Sequence, residues 1–241
     1  MDHEVDKGLP PKEAAIEKLN TIFQRAHETS QAVLFMTSGG SSLELLDGIH
    51  SSNFGPSTTV TVLDERYSTD PTVNNMAQLM ETKFYKRIEP TGAHFIDTRI
   101  KDGETQAQLA ERFNNEILSW RHKNPTGMII ATTGIGPDGH ISGMMPFPED
   151  PEKFKELFDD QDGTHLVVAY DAGDKNPHSK RVTTTMNLMN KIHTAVAYVV
   201  GESKRDTLKR FENEDGSLAE LPSRILHTMP GKAYLFTDIT L

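Results

Sequence analysis

The sequence predicts an α/β fold, Rossmann-like, with a mostly parallel sheet and helices on both faces. Three observations predict it. Short apolar runs of β character alternate with amphipathic helical stretches, the pattern of a parallel sheet built from crossover units. At 241 residues, 36% hydrophobic and 25% charged, the chain is long enough for one large core. Polar motifs follow several of the runs, at residues 38–42, 64–66, 134–140 and 201–204. Ligands in such folds sit there, beyond the carboxyl ends of strands. One domain over residues 1–241 is expected, without internal repeat, low-complexity tract or linker.

The elements follow in order. Pro11 to Glu28 reads as an amphipathic helix, with Ala15, Leu19, Ile22, Phe23 and Ala26 on one side. Ala32 to Met36 is a short buried strand. Ser38-Gly-Gly-Ser-Ser42 breaks it, and a helix starts over Leu43 to Ile49. Thr58 to Leu63 is a second strand, ending at Asp64-Glu-Arg66. Asn74 to Phe84 is helical, Ala93 to Ile96 a third strand, and Glu104 to Trp120 a clear helix. Met128 to Thr133 is the fourth strand. Pro148 to Gly163, acidic and bounded by proline, reads as a surface excursion rather than a core element. His165 to Tyr170, Arg181 to Met186 and Thr194 to Val200 read as further strands. Lys204 to Glu212 is a helix and Lys232 to Phe236 a final strand.

Composition narrows the function. The net charge of −10 argues against a general nucleic-acid surface. An anion would need a local pocket of Arg and Lys. The chain has no cysteine, which removes disulfides and thiol catalysis and fits a reducing compartment. No apolar run approaches the ~18–20 residues of a membrane helix. The polar stretch Met1-Asp-His-Glu-Val-Asp-Lys7 lacks the apolar region of a signal peptide. A cytoplasmic protein is the expectation, and the sequence leaves its oligomeric state open.

The most informative stretch is Gly134-Ile-Gly-Pro-Asp-Gly-His140, directly after the fourth strand. Its glycines permit a sharp turn close to a ligand, and its histidine can move a proton near neutral pH. Gly134, Gly136 and Gly139 also satisfy a dinucleotide fingerprint, but only a following helix would support that reading. Pro146, Pro148 and Pro151 argue against a long one. Asp138 either orients His140 or caps the loop. Ser38, Gly39, Gly40 and Ser41 lie between a strand and a helix, a placement suited to phosphate through exposed N–H groups, hydroxyls and the helix N-terminus. Simple capping by Ser41 or Ser42 is the plainer alternative. The Gly-Lys-Ser/Thr ending of a P-loop is absent.

Arg66, Arg181 and Lys204 are the candidate phosphate cations. Asp64 is a candidate base, a partner orienting Arg66, or half of a structural ion pair. None of the ten histidines is three or four residues from another, so no metal site is expected. No cofactor is expected either. A G-x-S-x-G nucleophile elbow is missing.

Taken in order, these segments resemble the 6-phosphogluconolactonase family, within the wider glucosamine-6-phosphate isomerase/deaminase superfamily. Ser38-Gly-Gly-Ser41 is similar to the family's SGGS phosphate loop. Asp64-Glu-Arg66 with Asn74-Asn75 resembles its DER…SN segment. Gly134 to Pro146 resembles GxGxDGHxASLFP, and Arg181-Val-Thr183 with Leu188 and Asn190 resembles RxTxTxxxLN. Gly201-Glu-Ser-Lys204 matches GxxK. Two stretches depart: Ser42-Leu43 stands for Thr-Pro, and Ser142-Gly-Met-Met145 for Ala-Ser-Leu-Phe. The deaminase relatives carry a glutamate five positions after the histidine, where this chain has Met145. They also have Asp-Glu-Tyr where it has Asp64-Glu-Arg66.

The resemblance implies hydrolysis of 6-phosphoglucono-1,5-lactone, with a sugar phosphate as the partner molecule. It makes His140 the proton acceptor, Asp138 its orienting group, and Asp64 a further catalytic candidate. Ser38 to Ser41, Arg66, Arg181 and Lys204 would hold the phosphate. The oxyanion donor stays open between glycine-loop amides and a nearby cation. A deaminase-like enzyme and a non-catalytic sugar-phosphate-binding regulator are the alternatives.

Overall fold

The computed structural model describes residues 9–159, 163–213 and 216–240; the polar N-terminal stretch read above lies outside them. In chain order the elements are α1 (Pro11–Glu28), β1 (Val33–Thr37), α2 (Leu43–Leu46), β2 (Thr58–Val62) and β3 (Asp64–Arg66). Then come α3 (Asn75–Glu81), α4 (Lys83–Ile88), β4 (His94–Phe95), α5 (Gln106–Lys123), β5 (Met128–Thr133) and α6 (Pro151–Phe158). The chain continues with β6 (Val167–Asp171), β7 (Lys180–Thr184), α7 (Met186–Met189), β8 (Thr194–Tyr198), α8 (Arg205–Glu212), α9 (Ile225–Thr228) and β9 (Lys232–Phe236). Among the described residues no helix is long and apolar enough to cross a membrane.

Six strands form one sheet in the order β4-β2-β1-β5-β8-β9, and every neighbouring pair is parallel. β1, β2 and β8 are buried along their whole length, as in strands covered on both faces. Side chains alternate across the sheet. Leu34 and Met36 of β1 join a core with Leu109, Phe113 and Ile117 of α5. Val33 and Phe35 join the opposite core with Leu19 and Phe23 of α1. The strand order reverses between β1 and β5, because the chain fills one side through β2 and β4 before starting the other. Open α/β sheets bind ligands outside the carboxyl ends at such a switch. Here the loops leaving that point begin at Ser38 and Gly134.

Three runs depart from the expected single sheet. β3, β7 and β6 form a separate antiparallel sheet. The connection over residues 172–179 is too short for a parallel crossover, which takes a dozen or more residues, so β7 folds back on β6. Leu63 is the corner between the two sheets. Its amide donates to the Thr37 carbonyl (2.9 Å) and its own carbonyl accepts from the Thr184 amide (3.1 Å).

The acidic tract also differs from expectation. Asp150 caps α6 by accepting from the Lys153 amide (3.1 Å), and Pro151 fills its first turn. Phe154 and Phe158, one helical turn apart, are buried in the core, where Phe158 meets the Tyr170 ring edge-on at 5.0 Å. The acidic residues had masked a two-phenylalanine core face. The helix expected over residues 43–49 is a single turn, α2, after a 3₁₀ turn at Gly40–Ser42.

Candidate active site

No helix opens at Gly134–His140, the next one starting only at Pro151, so the dinucleotide reading loses its required context. The loop is instead a tight turn that presents one imidazole. The Gly136 amide donates to the His140 carbonyl (2.9 Å), and the Gly139 amide to the Gly136 carbonyl (2.9 Å). A side chain at Gly136 would collide with the His140 ring and the Asp138 carboxylate, so only glycine fits this close approach. From outside, the Thr207 hydroxyl on α8 donates to the Pro137 carbonyl.

His140 Nδ1 lies 2.6 Å from Asp138 Oδ1, and the His140 amide also donates to that oxygen (3.2 Å). Asp138 thus occupies both positions open to it, against the ring and capping the loop. Burial pushes the Asp138 carboxyl up, but the His140 hydrogen bonds outweigh it and hold the group below its usual range. An ionised carboxylate only accepts, so the Nδ1 proton points to Asp138. A neutral ring then carries its lone pair on Nε2.

His140 opens onto a cavity of about 200 Å³ at the sheet's switch point. Ser38, Gly39, Gly40, Ser41, Asp64, Arg66, Arg181 and Lys204 line the same cavity. Asp138 stands behind the histidine, outside that lining. Every other sequence-predicted site residue is thus brought to one place from five separate segments. Three cations face one carboxylate, a locally positive site on a protein of net charge −10.

The cations are not equivalent. Arg181 Nη2 lies 2.6 Å from Asp64 Oδ2, and both side chains are almost fully buried (3% and 5% exposed). Asp64 therefore pairs with Arg181, and not with its strand neighbour Arg66. Arg66 stands directly opposite Arg181 across the β3–β7 ladder, and its Nη1 donates to the Val73 carbonyl (3.2 Å). The Nε atoms of both arginines, and the Ser38 hydroxyl, are buried without a protein partner. Buried donors left open beside a cavity point to a ligand rich in acceptors. Burial pulls the Lys204 ammonium below its usual range, with the Asp138 carboxylate working the other way. In the glycine loop, α2 is too short to carry much of a helix dipole. The anion reading there rests on hydroxyls and free first-turn amides.

Sequence reasoning assigned no site role to four neighbours. Ser142 lines the cavity with a left-handed backbone (φ 54°). Its hydroxyl is engaged by the Leu63 carbonyl and the Thr183 and Thr184 hydroxyls at 2.9–3.1 Å. Tyr198, at the end of β8, also lines the cavity. Glu65 and Asn75 support its wall from behind. Met144 and Met145 are fully buried in the core, so this pair packs inward and does not close over the cavity. Among the described residues no three His, Asp or Glu side chains converge as a metal cage.

Residues 12–235 match the model of the family described as glucosamine-6-phosphate isomerases/6-phosphogluconolactonase. Human 6-phosphogluconolactonase is 31% identical over 105 residues, covering 44% of this chain and 36% of that protein. The matched stretch thus spans little more than a third of that relative's length. A probable 6-phosphogluconolactonase of Dictyostelium discoideum is 23% identical over 162 residues, 67% of this chain and 64% of that one. Among solved structures, 6-phosphogluconolactonase from Shewanella baltica superposes with a TM-score of 0.74 at 19% identity, covering 94% of this chain and 92% of that one. The enzyme from Thermotoga maritima gives 0.71 at 21% identity, with 95% and 96% covered. These likenesses establish the shared α/β fold. With a family match over nearly its whole length, the chain belongs to the family of glucosamine-6-phosphate isomerases and 6-phosphogluconolactonases.

Proposed function

We propose that this protein hydrolyses 6-phospho-D-glucono-1,5-lactone to 6-phosphogluconate, a step of the oxidative pentose phosphate pathway. The observation that carries the reading is the oriented His140–Asp138 pair opening onto a cationic cavity. The relatives' names point the same way. Met145 argues against the deaminase branch. Its position carries no carboxylate and is fully buried in apolar surroundings, so it supplies no proton for ring opening.

In the proposed reaction the lactone phosphate sits among Ser38–Ser41, Arg66, Arg181 and Lys204. That remote grip places C1 near His140 and turns binding energy into orientation. His140 Nε2 takes a proton from water as the water oxygen bonds to C1. The tetrahedral adduct then collapses, the bond from C1 to the ring oxygen breaks, and the imidazolium returns its proton to that oxygen. The products are the open-chain acid and a neutral histidine. Asp138 keeps the Nδ1 proton in place and stabilises the transient imidazolium. No covalent intermediate is needed, and the engaged Ser142 hydroxyl is not positioned as a nucleophile.

The test adds fresh lactone to purified protein, with spontaneous hydrolysis subtracted. Acceleration that depends on His140 supports the reading. No acceleration, together with ammonia release from glucosamine 6-phosphate, would move the protein to the deaminase branch. Tight 6-phosphogluconate binding without turnover would make it a sugar-phosphate-binding regulator.

Lys204 supplies a pH prediction. Its protonated form attracts the phosphate dianion, and burial has lowered its pKa. Affinity for 6-phosphogluconate should therefore fall on the alkaline side earlier than an ordinary lysine would allow. Lys204→Arg keeps its charge there and should flatten the loss. Calorimetry between about pH 7 and 10 checks this. An identical alkaline loss in Lys204→Arg would remove Lys204 from the phosphate grip.

A further inference from the structure

Two acids are buried among the described residues, and only Asp64 is accounted for above, by its pair with Arg181. Asp64 and Arg66 sit two apart on β3 and face the cavity. Glu65 lies between them and points to the opposite side. It is fully buried. Its Oε1 accepts from the amides of Arg66 (2.8 Å) and Asn75 (2.6 Å). Its Oε2 accepts from the Met76 amide (3.0 Å) and the Thr98 hydroxyl (2.8 Å). The Asn75 and Met76 amides open α3 and have no partner within the helix. Glu65 thus fastens the start of α3 to β3.

That helix start touches the cavity wall at three points. Asn75 Nδ2 donates to the Asp64 carbonyl (2.8 Å). The other face of the Asn75 amide presses on Gly39 so closely that a side chain there would overlap it. Val73, two residues before α3, accepts from Arg66. One buried carboxylate therefore stands behind the glycine loop, Asp64 and Arg66 together.

We infer that Glu65 is a positioning residue: by holding the start of α3 against β3, it sets the spacing between the Gly39 loop and the Asp64–Arg66 edge on which the substrate grip depends. This rests on the sugar-phosphate reading of the cavity. Burial pushes the Glu65 carboxyl up to about 7, while the four hydrogen bonds pull it down. A proton on Oε1 would meet only the Arg66 and Asn75 amide donors, and one on Oε2 would need the Thr98 hydroxyl to turn and accept; the NH₂ of a glutamine would likewise face amide donors on either side.

Glu65→Gln should therefore raise KM for the lactone and Kd for 6-phosphogluconate about tenfold, with kcat of the folded enzyme changed much less. A merely stabilising residue would behave differently. Leu109→Ala, in the core under α5, should lower stability and active fraction while leaving KM unchanged. Asn75→Ala cuts the link from α3 to Asp64 and keeps the Glu65 carboxylate, so it should reproduce the KM rise even if Glu65→Gln does not fold. Wild-type KM and Kd in a folded Glu65→Gln or in Asn75→Ala overturn the inference alone. A wild-type protein that binds 6-phosphogluconate without turning over the lactone fails the lactonase reading, and Kd still decides the role of Glu65. A wild-type protein that does neither fails both.

Discussion

His140→Ala slows lactone turnover by about 10²–10⁴-fold. The loss falls on kcat and leaves KM close to wild type, because His140 makes none of the phosphate contacts proposed for the cations. No second base is ready to replace it. Asp64, the acid that lines the cavity, is tied to Arg181 at 2.6 Å. Asp138→Asn should act in the same direction by a different route. An asparagine amide can donate to Nδ1, which leaves the proton on Nε2 and the lone pair on the wrong nitrogen. A fall of about 10²-fold or more is expected from that tautomer change. Both variants should unfold within about 1 kcal/mol of wild type, since the His140 and Asp138 side chains are only partly buried and the loop is braced by backbone bonds. Wild-type kcat in folded His140→Ala would end the general-base assignment. A normal kcat in Asp138→Asn would reduce Asp138 to a loop cap.

Much of the fold was legible because strands buried on both faces leave uninterrupted apolar runs. Met128–Thr133 and Lys232–Phe236 were readable to the residue, as was the Pro11–Glu28 helix with its one-sided apolar spacing. The antiparallel second sheet was less legible. β6 and β7 carry apolar runs like those of the main sheet, and only the short connection between them separates the two arrangements. Helix α6 was hidden by composition. Glu152, Lys153, Lys155 and Glu156 dominate its sequence, while Phe154 and Phe158 alone carry the buried face.

The site was legible where chemistry sits at strand ends. Ser38 follows β1 and Gly134 follows β5, and the parallel topology brings them together. What stayed hidden were choices among partners. Asp64 had Arg66 two residues away, yet the antiparallel ladder aligns β3 with β7 and gives Arg181 to Asp64 from 117 positions along the chain. Local spacing cannot reveal a pair made by a ladder register. Glu65 did leave a signal. In a strand whose first and third residues face a site, the second faces the interior, and an acid there requires donors.

The Asp64–Arg181 pair carries the largest expected effect on stability. Asp64→Ala should destabilise the protein by about 3–5 kcal/mol, because it leaves a guanidinium buried without its counter-charge. Arg181 is 3% exposed and its Nε already lacks a protein partner, so little water reaches it. Arg181→Ala leaves the Asp64 carboxylate in the same position and should cost a similar amount. The double variant should lose clearly less than the sum of the two, because neither charge is then stranded. Urea unfolding of the four proteins measures this directly, and strictly additive losses would show that the pair does not act as a unit. Ligand binding gives an independent reading. Asp64 offsets one of the three cavity cations, so its removal raises the local charge facing a phosphate. Inorganic phosphate should therefore stabilise Asp64→Ala more than it stabilises the wild type, by binding the folded state. Lactone turnover in the same variant should still fall. An anion drawn further toward the unpaired Arg181, away from Arg66 and Lys204, should carry C1 away from His140. A variant that gains phosphate affinity and loses turnover together would place Asp64 as the group that tunes how far into the cavity the phosphate is allowed to go.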